Sequence, residues 1–308
     1  MTEDSLLPQG GARQKSNHER MGIAAPLLAP SQGVGLDELA MPEQAITLSR
    51  TPPGFDALAL GDIARARHAV EPAAAVSLVH IARDEQRLAA LRQALRFFAP
   101  DLEVIEFPAW DCLPYDRVGP NSAVESRRLR AMVRLAERSA GAAQMPPAII
   151  VTTVSAALQR LPARSTIAER SWRAAAGATI DVQSLLAFLD GNGYQRSGTV
   201  VEPGEYAVRG GIIDVFPAGA EEPVRLDLFG KALESVRAFD PETQRTTAQR
   251  REILIIPVSE VMLDQDAITR FRQGYVARFG PATAADPLYE SVSAGRRYRG
   301  LEHWLPLF

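Results

Sequence analysis

The sequence predicts an α/β fold in which a mainly parallel sheet comes first and a β-rich domain second. Two observations carry this. From Ile46 to Leu161 short apolar runs alternate with stretches whose apolar residues recur every third or fourth position, the pattern of strands joined by crossover helices. Past Pro162 the texture changes to short strands separated by turn residues, which favours antiparallel pairing. At 308 residues the chain has room for two or three domains, each with its own core.

Residues Met1 to about Gln44 mix Gly, Pro, Gln, Ser and charges without a sustained period, as expected of a disordered leader, with room for a short helix near Gly35 to Leu39. Ala57 to Ala69 has helical spacing, and Ala73 to Val79 reads as a buried strand. Asp84 to Phe98 is an amphipathic helix with Leu88, Leu91, Leu95 and Phe98 on one face, followed by a strand at Glu103 to Phe107. Asn121 or Ser122 caps a long helix to about Arg138, and Glu125 completes an S-x-x-E capping box. Ala148 to Thr152 is a third buried strand and Val154 to Leu161 a short helix. Right-handed crossovers between such elements give a parallel sheet covered on both faces.

In the second half Asp181 starts a helix, Val182 to Leu189, that Gly191 and Gly193 end. Strands are expected at Thr199 to Val201, Glu205 to Val208, Ile212 to Phe216, Val224 to Phe229, Leu233 to Phe239 and Ile253 to Val258, with a tight loop at Pro217, Gly219 and Pro223. A last helix runs from Asp264 to about Phe279. The expected organisation is a leader (1–44), an α/β domain (45–162), a β-rich domain (163–260) and a closing segment (261–308). The chain stops on Trp304, Leu305, Leu307 and Phe308, an apolar end that reads as part of a longer polypeptide.

Composition excludes several function classes. With 34 basic and 37 acidic residues the net charge is -3, so no global field holds a polyanion such as DNA. The single cysteine, Cys112, rules out an internal disulfide and suits a reducing compartment. His18, His68, His80 and His303 lack metal-ligand spacing. No apolar run nears the ~20 residues of a membrane span, and no secretion signal opens the chain. The expectation is a cytoplasmic protein with no bound metal.

Catalytic motifs are expected to be missing as well. The turn where a phosphate-cradling loop would lie, Thr51 to Asp62, has Gly54 and Gly61 but no lysine, and Asp56 would repel a triphosphate. Gly230-Lys231 joins two strands and is a poor substitute. Cys112 reads as a buried filler, Ser122, Ser126 and Ser155 lack a nucleophile elbow, and Asp111, Asp116, Asp227 and Asp240 read as ordinary acids. Arg127, Arg128, Arg130 and Arg134 are interleaved with Glu125 and Glu137, which favours i,i+3 ion pairs over phosphate contact. Arg296, Arg297 and Arg299 form a second basic tract without aromatic interleaving.

One strand stands apart. Within Val224 to Phe229 the period of two puts Val224, Leu226 and Leu228 on a core face and Arg225, Asp227 and Phe229 on the other. A phenyl ring among charges gains nothing from burial unless something covers it. The cover is either a second apolar layer of the same domain or a partner protein, since arginine and aromatic residues are enriched at interface centres.

Three stretches, FPAWDCLPYDRVGPNSAVESRRLRAM (Phe107 to Met132), GEYAVRGGIIDVFPAGAEEPVRLDLFGKALESVRAFDPETQRT (Gly204 to Thr246) and GLEHWLPLF (Gly300 to Phe308), resemble the N-terminal region of the bacterial transcription-repair coupling factors, the Mfd family. The likeness covers Ile46 to Phe308. It implies a UvrB-like module: a degenerate RecA-like, helicase-like parallel α/β domain, an inserted β-rich α+β domain that binds UvrA, and a return segment completing the first domain. Two departures from UvrB are the missing Walker lysine and a Tyr115 to Ser122 link too short for a DNA-gripping hairpin. The resemblance places the UvrA-facing residues at Arg209, Arg225 and Phe229, with Arg209 on the same face if its strand is a neighbour. It implies no catalytic residue and no cofactor for this chain; ATP and Mg belong to the parent's motor, a DNA translocase acting on RNA polymerase and double-stranded DNA. The alternatives are an active UvrB-type DNA-damage-binding ATPase or an autonomous DNA-binding domain.

Overall fold

A computed structural model of the protein describes residue 47 and residues 51–76, 78–113, 118–141, 145–281 and 286–308. The leader at 1–44, its short helix and Asp116 lie outside the described residues. The first half runs α1 (Phe55–Val70), β1 (Leu78–Ala82), α2 (Glu85–Phe98), β2 (Glu103–Phe107), α3 (Ser122–Gly141) and β3 (Ala148–Thr153). The strands form a parallel sheet of order β1-β3-β2. Leu88, Leu91 and Leu95 of α2 and Ala57 and Ala64 of α1 pack on Ile149 and Val151. Leu129, Met132 and Val133 of α3 cover the opposite face at Ile105 and Phe107.

Coverage of both faces fails at the edge. β1 starts at Leu78, later than the expected Ala73, and Val79 and Ile81 remain 55% and 52% exposed because α3 lies over β2 and β3. The capping box is also overturned. Asn121 caps α3, its side-chain oxygen accepting the N–H of Ala123 at 2.8 Å, while its own N–H donates to Asp111 at 2.9 Å. That leaves Glu125 free to turn inward, where it is buried and accepts the N–H of Glu260 at 3.0 Å.

The second half contains α4 (Val154–Ala157), α5 (Arg164–Glu169), β4 (Trp172–Ala175), α6 (Val182–Gly191), β5 (Gln195–Arg196), β6 (Glu205–Arg209), β7 (Ile212–Val215), β8 (Val224–Phe229), β9 (Ala232–Phe239), β10 (Thr246–Arg250) and β11 (Glu252–Ile255). Strands β10-β9-β8-β7-β6-β5 form one sheet, antiparallel except at β5–β6. Its inner face, with Tyr206, Ile213, Leu226 and Val236, packs on Leu185 and Leu189 of α6, which Asp181 caps by accepting the N–H of Ser184 at 3.1 Å.

Three expected elements change. The helix expected over Val154 to Leu161 ends at Ala157, since Leu158 and Leu161 face solvent and have nothing to pack on. Thr199 to Val201 forms no strand, because the N–H groups of Val201 and Glu202 are taken by the Glu205 carboxylate at 2.8 and 2.9 Å. The run expected over Ile253 to Val258 shortens to β11 and pairs with β4 in a separate two-stranded sheet. The closing segment folds as α7 (Gln265–Phe279), α8 (Pro287–Ser293) and a 3-10 helix (Leu301–Leu307) gathered around Phe271. No helix among the described residues is long and apolar enough to cross a membrane.

Candidate protein-docking face

Two tight hairpins build the outer face of the six-stranded sheet. Gly210 and Gly211 join β6 to β7, and Gly230 and Lys231 join β8 to β9; Gly210 and Gly230 take φ of 60° and 62°, as such turns require. A side chain at Gly211 would bring its Cβ to 2.7 Å from the Leu228 carbonyl oxygen, so this position needs glycine for packing alone. Since β6 and β8 run in the same sense, both turns lie at one end of the sheet. Arg209 and Phe229 are therefore the last strand residues before adjacent turns.

Phe229 is 77% exposed. It shares the outer face with Arg225 and Asp227, opposite the buried Leu226 and the half-buried Leu228. Arg209 is on this face as well, though its strand is not a direct neighbour of β8: β7 lies between them and supplies the connection. Asp214 of β7, directly across from Arg225, accepts from Arg225 Nε at 2.7 Å and Nη2 at 2.9 Å and from Arg209 Nη2 at 3.0 Å. The Asp214 side chain is 1% exposed, that of Arg225 17% and that of Arg209 50%. Hydrogen bonding to Asp214 lifts the Arg225 pKa above the usual guanidinium range, overcoming the opposing cost of burial. The Arg225 guanidinium also lies 4.8 Å from the centroid of the Phe239 ring.

A second pair continues the ladder. Arg237 of β9 faces Arg225 and donates to Asp227 at 2.7 and 2.6 Å, and Ser235 donates to the same carboxylate. Beyond Arg225 the face is closed by the chain's own loops over Val200, Ala207, Phe216 and Phe239. The outer face is thus half sealed and half open, and Phe229 is on the open half. Asp214 escaped the reading of the sequence, although a carboxylate inside the apolar run IIDVF was a visible signal.

Residues 173–261 match the family described as the UvrB interaction domain. Over 231 residues the chain is 32% identical to the transcription-repair-coupling factor of Escherichia coli (strain K12), a stretch covering 75% of this chain and 19% of that relative. It is 31% identical over 258 residues to the factor of Haemophilus influenzae, covering 83% and 21%. With the factor of Myxococcus xanthus it shares 36% over 209 residues, 65% and 17% of the two chains. The chain belongs to the transcription-repair-coupling factor family. It spans about a fifth of the length of the relatives it matches, and all of the docking face falls inside the matched domain.

Other residues singled out in the sequence of this family member have different places. Most of Thr51 to Asp62 is helix: α1 begins at Phe55 after Gly54 at φ 84°. Gly61 serves helix packing, since a Cβ there would stand 3.0 Å from that of Ala99, and Asp62 is buried on Arg65 at 2.8 Å. Arg65 in turn grips Asp101 at 2.9 and 2.6 Å. Cys112 is half-buried, and the fold sets it 3.8 Å from Nε2 of His303, a neighbour 191 positions away.

The arginine cluster of α3 forms only one of the expected pairs, Arg134 with Glu137 at 3.1 Å. Arg128 is fully buried, binds Glu260 through Nε and, at 3.1 Å, Nη2, and donates to the Pro108 carbonyl at 2.8 Å. Arg297 keeps an exposed surface but is tied into the same region. It donates to the Val261 carbonyl at 3.2 Å, and desolvation pulls its pKa below the usual range against the attraction of Glu125 and Glu302. Sequence spacing missed these contacts because they join α3 to the end of the second domain and the closing segment.

Proposed function

We propose that this chain is the UvrA-recruiting module of a transcription-repair coupling factor, docking UvrA through Arg209, Arg225 and Phe229. The observation that carries the reading is Phe229, left open to solvent at the end of an arginine–carboxylate ladder inside a UvrB interaction domain. A mostly exposed phenyl ring on the same face as guanidinium groups held in place has the composition of an interface hot spot. In this reading the intact protein is an ATP-dependent DNA translocase that displaces RNA polymerase stalled at lesions, with ATP and Mg serving a motor outside this chain, in the cytoplasm. The parallel half is a degenerate RecA-like domain without catalytic function. Support for that comes from Gly61 and Asp62, which serve packing and a buried ion pair.

The test is a titration of purified UvrA with wild-type and Phe229→Ala protein. Loss of at least tenfold in affinity, with the fold unchanged by circular dichroism, is expected. Equal affinities would remove Phe229 from the site and the reading with it.

A further inference from the structure

The arginines of the docking face are held very differently. Arg225 gives two N–H groups to Asp214 and lays its guanidinium over Phe239, whereas Arg209 is half exposed and reaches Asp214 by one bond. Both interactions end on the same buried carboxylate, so the position of each guanidinium depends on Asp214. Arg209, Arg225 and Arg237 donate to Asp214 and Asp227, so three guanidinium groups share two carboxylates along the open ladder. The guanidinium left least engaged is Arg209, since Arg225 and Arg237 each have a two-pronged carboxylate partner.

We propose that Asp214 is the positioning residue of this face, clamping Arg225 flat on the sheet so that Arg209 and Phe229 meet the partner directly. The partner surface that fits is a carboxylate beside an apolar recess: the carboxylate completes Arg209, and the recess takes the phenyl ring. This deepens the UvrA-docking reading and rests on it. Asp214 itself touches no partner, and Arg225 acts through its fixed position and charge.

The experiment is a double-mutant cycle on the whole chain with purified UvrA as probe, using Asp214→Asn, Arg209→Ala and the double variant. Asp214→Asn is expected to weaken binding at least tenfold, and the double variant to fall short of the product of the single losses by at least fivefold, because both changes act on one unit. Wild-type affinity for Asp214→Asn, or losses that simply multiply, would overturn the proposal. Nitrogen-15 side-chain spectra of the free protein supply an arm independent of the partner: the Arg225 Nε–H exchanges slowly in the wild type and rapidly in Asp214→Asn. Fast exchange in the wild type refutes the clamp. If Asp214→Asn does not fold, Arg225→Lys keeps the charge and removes the two-pronged bond; it is expected to lose at least fivefold, and unchanged affinity counts against the clamp. Phe229→Ala runs in parallel, so that its binding as wild type marks failure of the docking reading rather than of the clamp, which the spectra still decide.

Discussion

Arg128 and Arg225 each lie across a carboxylate and near an aromatic ring, yet the side chains of Arg128 and Glu260 have no exposed surface while Arg225 sits at the edge of an open face beside a half-exposed Arg209. In the junction every neighbour is fixed by the fold: Arg128 binds Glu260, Gln159 and the Pro108 carbonyl, and Trp110 donates to Glu260 at 3.1 Å. On the face, Arg209 has one bond within the chain to Asp214. Buried in full, the chemistry ties the α/β half to the end of the β-rich half. At a surface, with one guanidinium incompletely engaged, it leaves charge open to solvent. Solvent exposure rather than residue type separates the two roles.

The contrast breaks most visibly at Arg128. Arg128→Ala strands the Glu260 carboxylate without its guanidinium, and a loss of about 3–5 kcal/mol in urea denaturation is expected. A loss under about 1 kcal/mol would mean that the junction is no tighter than a surface pair. Phe229→Ala should do the reverse: stability within about 0.5 kcal/mol of wild type, but about 2 kcal/mol or more of UvrA binding lost. An equal fall in stability would place that ring in the core.

The junction also carries a pH signature. Burial, then the neighbouring Glu302 charge, push the Glu125 pKa up to about 7. Between the ordinary carboxyl range and that value the unfolded chain has released its proton while the folded chain keeps it, so stability falls as pH rises through this window. The penalty is complete above the folded value. Glu125→Gln keeps an acceptor for the Glu260 N–H and removes the penalty, so denaturation curves at pH 8 should show a gain on the order of 2 kcal/mol, shrinking to nothing near pH 4. The smallest effect is expected at an exposed pair, Arg250 with Glu222 at 2.9 Å. Arg250→Ala should change stability by less than about 0.5 kcal/mol.

Much of the candidate site was legible in the sequence. Alternation along Val224 to Phe229 separates Leu226 from Arg225 and Phe229, and the strand bounds match. Asp181 caps α6 as expected, and Asp84 and Asp264, expected as the first residues of their helices, stand just outside α2 and α7 as caps. The capping box at Ser122 failed because Glu125 had a buried partner 135 positions away. WRAA, lacking alternation, gave no sign that Trp172 to Ala175 would pair with β11.

The chain's order of residues by itself determined most of the helices and strands and, along Val224 to Phe229, which face is apolar. These follow from period and capping, which act within a few residues. Only the tertiary structure decided that Arg209 and Arg225 share Asp214, that Arg128 closes on Glu260, and that no second apolar layer covers Phe229. Such contacts depend on strand order and on the packing of distant segments, and no local pattern encodes them.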